Sequence, residues 1–105
     1  MNEYILCAAV WYRFIPVKKE IPSSLVLPVN CDQGLVFCGY RHNHCMYTMI
    51  AVTGIRSVES EVGTYIQGFL TSKNRFVDRE EAAKIHMANG HEVEFENRLF
   101  SEDLY

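Results

Sequence analysis

The first apolar block of the chain, Ile5 to Phe14, does not repeat at helical spacing. It gathers Leu6, Val10, Trp11, Tyr12 and Phe14 with few turn formers between them, which predicts a strand, because β-branched and aromatic side chains pack well on a pleated surface. Pro16 has no backbone donor for a ladder, so the strand should end near Phe14. Pro22, Ser23, Ser24 and Pro28 then disfavour a regular helix, and the segment reads as an ordered extended excursion. Gly34 opens the run Leu35-Val36-Phe37-Cys38, a second strand stopped by Gly39. From Asn43 to Val52 the period changes: Cys45, Met49 and Val52 recur at helical intervals, and Met46 and Ile50 broaden that face. Gly54 suits the cap of this helix and Gly63 a turn, while the charged stretch between them has no readable period.

Tyr65, Ile66, Phe69 and Leu70 predict a further strand, with Gly68 marking a bulge or a close backbone approach. A polar turn, Thr71 to Asn74, precedes the clearest local signal. Asp78 is placed to cap a helix, Glu81 to answer it in a capping box, and Val77 and Ala82 to form the hydrophobic staple. That helix should run from Arg79 to Asn89 with Gly90 outside it, burying Ala82, Ile85 and part of the Met87 to Asn89 surface. His91 to Phe95 alternates as a short edge strand would, and Leu99, Phe100, Leu104 and Tyr105 suit a tail anchored on the core. The expected fold is α+β: a compact single domain over residues 1–105, with a small, mostly antiparallel sheet and at least two helices.

Composition narrows the class. A chain of 105 residues that is 49% hydrophobic and 22% charged has material for one core and little for a second. So small a core gains from self-association, and a homo-oligomer is expected. The net charge of -3 lacks the positive field that a binder of long nucleic acid needs. No apolar run approaches the roughly 20 residues that span a bilayer, and no basic leader precedes the first apolar block, so no membrane partner is expected and the cytoplasm is the expected location. In that reducing compartment Cys7, Cys31, Cys38 and Cys45 are expected as free thiols.

Candidate chemistry concentrates in Cys38-Gly39-Tyr40-Arg41-His42-Asn43-His44-Cys45. Cys38, His42, His44 and Cys45 have the donor types of a zinc site, but their crowded spacing lacks two separated ligand knuckles. They read better as metal-free, with Cys38 and Cys45 packing in the apolar interior and the histidines satisfying local hydrogen bonds. A cysteine-histidine nucleophile lacks an orienting acid, so no catalytic residue, metal or cofactor is assigned. Arg41 stands at a strand-to-helix turn, where its planar fork and the helix start suit a phosphate; the alternative is a surface arginine that closes the turn. His42 is placed to add a hydrogen bond. Trp11 with Arg13 offers a ring for a base and a guanidinium for a phosphate, against the alternative that Trp11 is core. Phe69, Asn74, Arg75 and Asp78 form a third candidate region near a strand-to-helix junction, in which Asp78 is already explained as a cap.

Gly39-Tyr40-Arg41-His42 with Cys45, Gln67-Gly68-Phe69-Leu70-Thr71-Ser72, Arg75 through Ala82, and Leu99 through Tyr105 follow one another in an order that resembles small phage-encoded proteins. Among these the chain resembles the first-described Thoeris anti-defence family, sponges for cyclic nucleotide immune signals. The resemblance implies a compact oligomer that sequesters a cyclic nucleotide-derived molecule, such as a cyclic ADP-ribose isomer or a cyclic oligonucleotide, without catalysis. On this chain it implies phosphate contact at Gly39-Tyr40-Arg41-His42 and base or ribose contact at Phe69 and Asn74. The alternative reading is a phage inhibitor that binds a host protein through its aromatic start and its Leu99 to Tyr105 tail.

Overall fold

The longest strand of the computed structural model, β1 (Ile5–Tyr12), is apolar on both of its faces. Its Ala8, Val10 and Tyr12 enter one buried cluster, and Ala9 and Trp11 enter another on the opposite side of the sheet. A strand covered on both sides reads as a continuous apolar run, and this is why no clean alternation marks it. The structure describes residues 2–13, 15, 21–54, 65–95 and 97–104. Phe14 as the strand end, Pro16 as its break, Gly63 in a turn and Tyr105 in the tail lie outside the described residues.

β1 pairs antiparallel with β2 (Leu35–Gly39) on one side and with β3 (Tyr65–Thr71) on the other, and β3 pairs antiparallel with β4 (Phe76–Asp78). The sheet order is β2-β1-β3-β4. Two helices, α1 (His42–Thr53) and α2 (Arg79–Ala88), lie on one face: Cys45 and Met49 of α1 and Ala82 and Ala83 of α2 share a cluster with Val10, Tyr12, Phe69 and Val77. Over the other face runs the proline-bounded excursion, which sets Leu27 and Cys31 against Ala9 and Phe76. Asn30 fastens it, its side chain donating to the Phe76 carbonyl at 2.7 Å and accepting from the Phe76 amide at 2.8 Å. The α+β expectation and the mostly antiparallel sheet hold.

Two glycines are dictated by geometry. Gly54 ends α1 at φ 77°, and its amide donates to the Ile50 carbonyl at 2.7 Å, a left-handed cap that a side chain would strain. At Gly68 a Cβ would collide with the Val77 carbonyl and the Phe76 ring, so β3 and β4 pass too close for any side chain. The β3–β4 hairpin closes on Asn74, which adopts φ 57°.

α2 begins where the sequence places it. Asp78 Oδ1 accepts the Glu81 amide at 2.8 Å, and Val77 and Ala82 meet in the core as the staple requires. Glu81 turns its carboxylate toward Arg75 at 3.8 Å. Asp78→Ala is expected to cost about 0.5 to 2 kcal/mol in urea unfolding, with the start of α2 fraying first. An unchanged midpoint would deny Asp78 its role as a cap.

Several expectations need correction. The buried face of α2 is Ala82, Ala83 and His86, while Ile85 is half-buried and Met87 exposed. Val52, expected on the inner face of α1, is 69% exposed, because the last turn of the helix carries it away from the core. Residues 91–95 form no strand; among the described residues an isolated bridge joins Phe95 to Arg98. Cys38 is exposed and Cys45 buried: Cys38 lies opposite Ala9 and points away from the helices, toward a groove lined by Val36 and Leu70.

Candidate functional site

β2 ends at Gly39, and Tyr40 and Arg41 turn the chain into α1. Arg41 takes the N-cap position in an extended conformation, with its guanidinium 4.6 Å above the Tyr40 ring. His42, the first residue of the helix, is drawn inward onto the Phe69 ring, which it meets edge-on at 5.1 Å. Its Nε2 lies 2.8 Å from the Gly68 carbonyl and so must carry the proton and donate. Nδ1 is then an acceptor, and Arg79 Nη2 approaches it at 3.4 Å. Burial, reinforced by the neighbouring Arg79 charge, pushes the His42 pKa below the ordinary histidine value and keeps the ring neutral. With both ring nitrogens engaged, His42 positions the helix start.

Arg79 is the junction of this region. Nη1 donates to the Leu99 carbonyl at 3.0 Å, Nη2 donates to Gln67 Oε1 at 2.6 Å, and the guanidinium lies 4.8 Å over the Phe100 ring. The Leu99 amide returns a bond to the Arg79 carbonyl at 2.9 Å. These bonds seat the C-terminal tail, with Leu99 fully buried and a short 3-10 turn at Ser101–Asp103, beside the first turn of α1. Between tail and helix opens a cleft of about 450 Å³. Arg41, His42 and Asn43 form one wall, Phe100, Ser101 and Glu102 the other, and Arg79 lies between.

Of the residues singled out in the sequence, Arg41 and His42 line this cleft, and Phe69 lies beneath His42 with no exposure. The others stand elsewhere. Trp11 is on the opposite sheet face, donating from Nε1 to the Gln33 carbonyl at 2.8 Å, edge-on to Phe76, with Arg13 stacked 5.2 Å from its ring. Asn74 closes the β3–β4 hairpin and accepts the Val29 amide at 2.8 Å. Arg75 forks onto Glu3, with both bonds at 2.8 Å, and with help from Thr71 it pulls the Glu3 carboxyl down to about 2. This pair ties the chain start to the hairpin.

Arg79 is not among the candidates from sequence, and Phe100 and Glu102 enter them only as part of the Leu99 to Tyr105 tail. Arg79 presents itself there as the first residue of a well-capped helix, and no local pattern reveals that the sheet carries it to the tail. The four residues with zinc donor types also part company. Cys38 lies on the sheet face away from the helices, beside the excursion, and His44 is exposed. Cys45 is sealed beneath α1, its thiol pushed up to about 11 by burial. Among the described residues no three groups of metal-ligating type converge. Nor, among those residues, is any helix long and apolar enough to cross a membrane.

The geometry therefore defines a four-stranded antiparallel α+β domain with an arginine-lined cleft between a helix start and a C-terminal turn. A family model described as phage T4 y16D protein matches residues 4–105, and the chain belongs to that phage protein family. No curated protein and no solved structure matches it.

Proposed function

We propose that this phage protein binds and sequesters a cyclic nucleotide-derived immune signal of its host, without hydrolysing it, in the cleft between α1 and the C-terminal turn. The observation that carries the reading is the meeting of Arg41, Arg79 and the Phe100 ring around one cleft at the start of α1. Guanidinium groups and the amides of a helix start suit phosphate, and an aromatic ring suits a base. Glu102 on the facing wall suits a hydroxyl or a base N–H. A volume of about 450 Å³ falls within the size of a small-molecule pocket. The engagement of both His42 nitrogens favours holding over proton transfer.

Calorimetric titration against cyclic ADP-ribose isomers and cyclic di- and trinucleotides tests this, followed by heating and mass spectrometry of the released molecule. Saturable binding and recovery of the unchanged ligand are expected. Arg41→Ala should weaken binding by about 2 kcal/mol, roughly 30-fold, with little change in the urea midpoint. Failure of the whole panel to bind would overturn the reading. The alternative, an inhibitor of a host protein, gains support from the excursion, where Leu25 is 75% and Val29 73% exposed, more than from the tail, whose Leu99 is buried.

A further inference from the structure

Over residues 21–54 the only Lys, Arg, Asp or Glu residues are Asp32 and Arg41, although the whole sequence has 10 Lys and Arg and 13 Asp and Glu. This stretch holds the excursion, β2 and α1, and the fold brings all three to one side of the sheet. β2 is the outer strand there, and among the described residues no strand lies beyond it. An edge strand turns half of its amides and carbonyls outward, and charge, proline, brevity or a covering group ordinarily guards it. The other edge is guarded: β4 is three residues long, ends at Asp78, and has the Phe76 amide and carbonyl already taken by Asn30. β2, Leu-Val-Phe-Cys-Gly, has neither charge nor proline.

Apolar margins flank the β2 edge on both faces. On the helix face a Cβ added to Gly39 would stand 3.2 Å from His44 Cβ, so His44 marks the flank of α1 above β2. Thr48 and Val52 follow His44 along that flank at helical spacing, and the Tyr40 ring lies 5.9 Å from the His44 ring. All four are exposed, Tyr40 by 55% and Val52 by 69%. On the other face Leu25 and Val26 border a groove together with Val36 and Cys38 of β2.

We propose that a second copy of this chain docks on this side, with β2 pairing antiparallel to β2 across a two-fold axis to make one eight-stranded sheet. The register that pairs all five residues sets Phe37 opposite its own copy, brings α1 against α1 on one face and the excursions together on the other. Two copies of net charge -3 repel, and a contact side without acidic groups keeps those charges apart. Helix, sheet and excursion form three layers about 10 Å apart along an edge about 17 Å long, which is roughly 500 Å² in projection and more over a corrugated surface. That is within reach of the roughly 800 Å² per partner that a stable dimer buries. Because Asn30 seals β4, the pairing closes at two copies and does not propagate.

Sedimentation equilibrium of the unsubstituted protein should give twice the 12.1 kDa of the chain at micromolar concentration. Hydrogen exchange should slow at the β2 amides as concentration rises, a readout that depends on no variant. Val52→Glu and Leu25→Glu each place like charges across the two-fold axis, so each should raise the dissociation constant at least tenfold. Both residues are exposed, so the circular dichroism spectrum should not change, and Met87→Glu, on α2, should leave the dimer intact. A dimer indifferent to Val52→Glu and Leu25→Glu, or one that protects β4 and not β2, would overturn the proposal. So would a monomer at every concentration, which would leave this side to a host protein.

Discussion

Phe69→Ala is expected to destabilise the domain by about 3 to 5 kcal/mol, the cost of emptying an aromatic site in a packed core. Phe69 has no solvent exposure and packs in one cluster with Tyr12, Met49, Val77 and Ala82. It also forms the platform on which His42 rests edge-on at 5.1 Å, so its loss loosens the start of α1 as well as the sheet. A domain of this size has on the order of 5 to 15 kcal/mol in total, so the variant should unfold at a much lower urea concentration. The sequence resemblance assigns Phe69 to base or ribose contact, and the two roles separate cleanly. Weakened ligand binding with an unchanged urea midpoint would return Phe69 to the binding surface.

The parts of the fold legible in the sequence are those fixed by short-range physics. The Asp78 cap and the left-handed Gly54 are decided within one turn of chain, and the β-branched and aromatic runs mark β1, β2 and β3 without reference to what they pack on. β4 is not legible because it is only three residues long and runs directly into α2, so that its last residue, Asp78, reads as a cap. The alternation of His91 to Phe95 misled for the opposite reason. Alternation is what a sheet edge requires of a strand, but it does not supply the edge.

The cleft was half legible. Arg41 and His42 follow from a strand-to-helix turn, which is local. Arg79 and Phe100 join them only because β3 lies between β1 and β4, an order set by strand pairing that periodicity does not carry. Trp11 was excluded from the cleft by a single pleat: it pairs with Ile66 on one face, while Phe69 pairs with Ala8 on the other. A shift of one residue in register would exchange those faces. The same parity sends Cys38 outward while Cys45, on α1, is buried.

Arg79→Met is expected to lower stability by about 3 kcal/mol and to release the C-terminal tail. Methionine keeps much of the side-chain stem but strips the donors from Gln67 Oε1, the Leu99 carbonyl and His42 Nδ1, and removes the cation from the Phe100 ring. Each acceptor left dry costs about 1 to 3 kcal/mol, and because the tail can move outward to water the losses do not add. Arg79→Lys should rescue little, since a single ammonium cannot span acceptors arranged around a planar fork. The tail should report first, as faster hydrogen exchange at the amides of Asp103 and Leu104, which close the 3-10 turn on Phe100 and Ser101. His42 supplies a second readout. Its folded pKa is depressed, so the stability it contributes is present above the ordinary histidine value of 6.5 and is lost as pH falls through the folded pKa. Removing the Arg79 charge should raise the folded pKa toward 6.5 and shrink this acid loss, though burial, the larger cause, keeps part of it. An Arg79→Met protein with an unmoved urea midpoint, unaltered exchange at Leu104 and an unshifted His42 titration would show that the tail is seated by Leu99 packing alone.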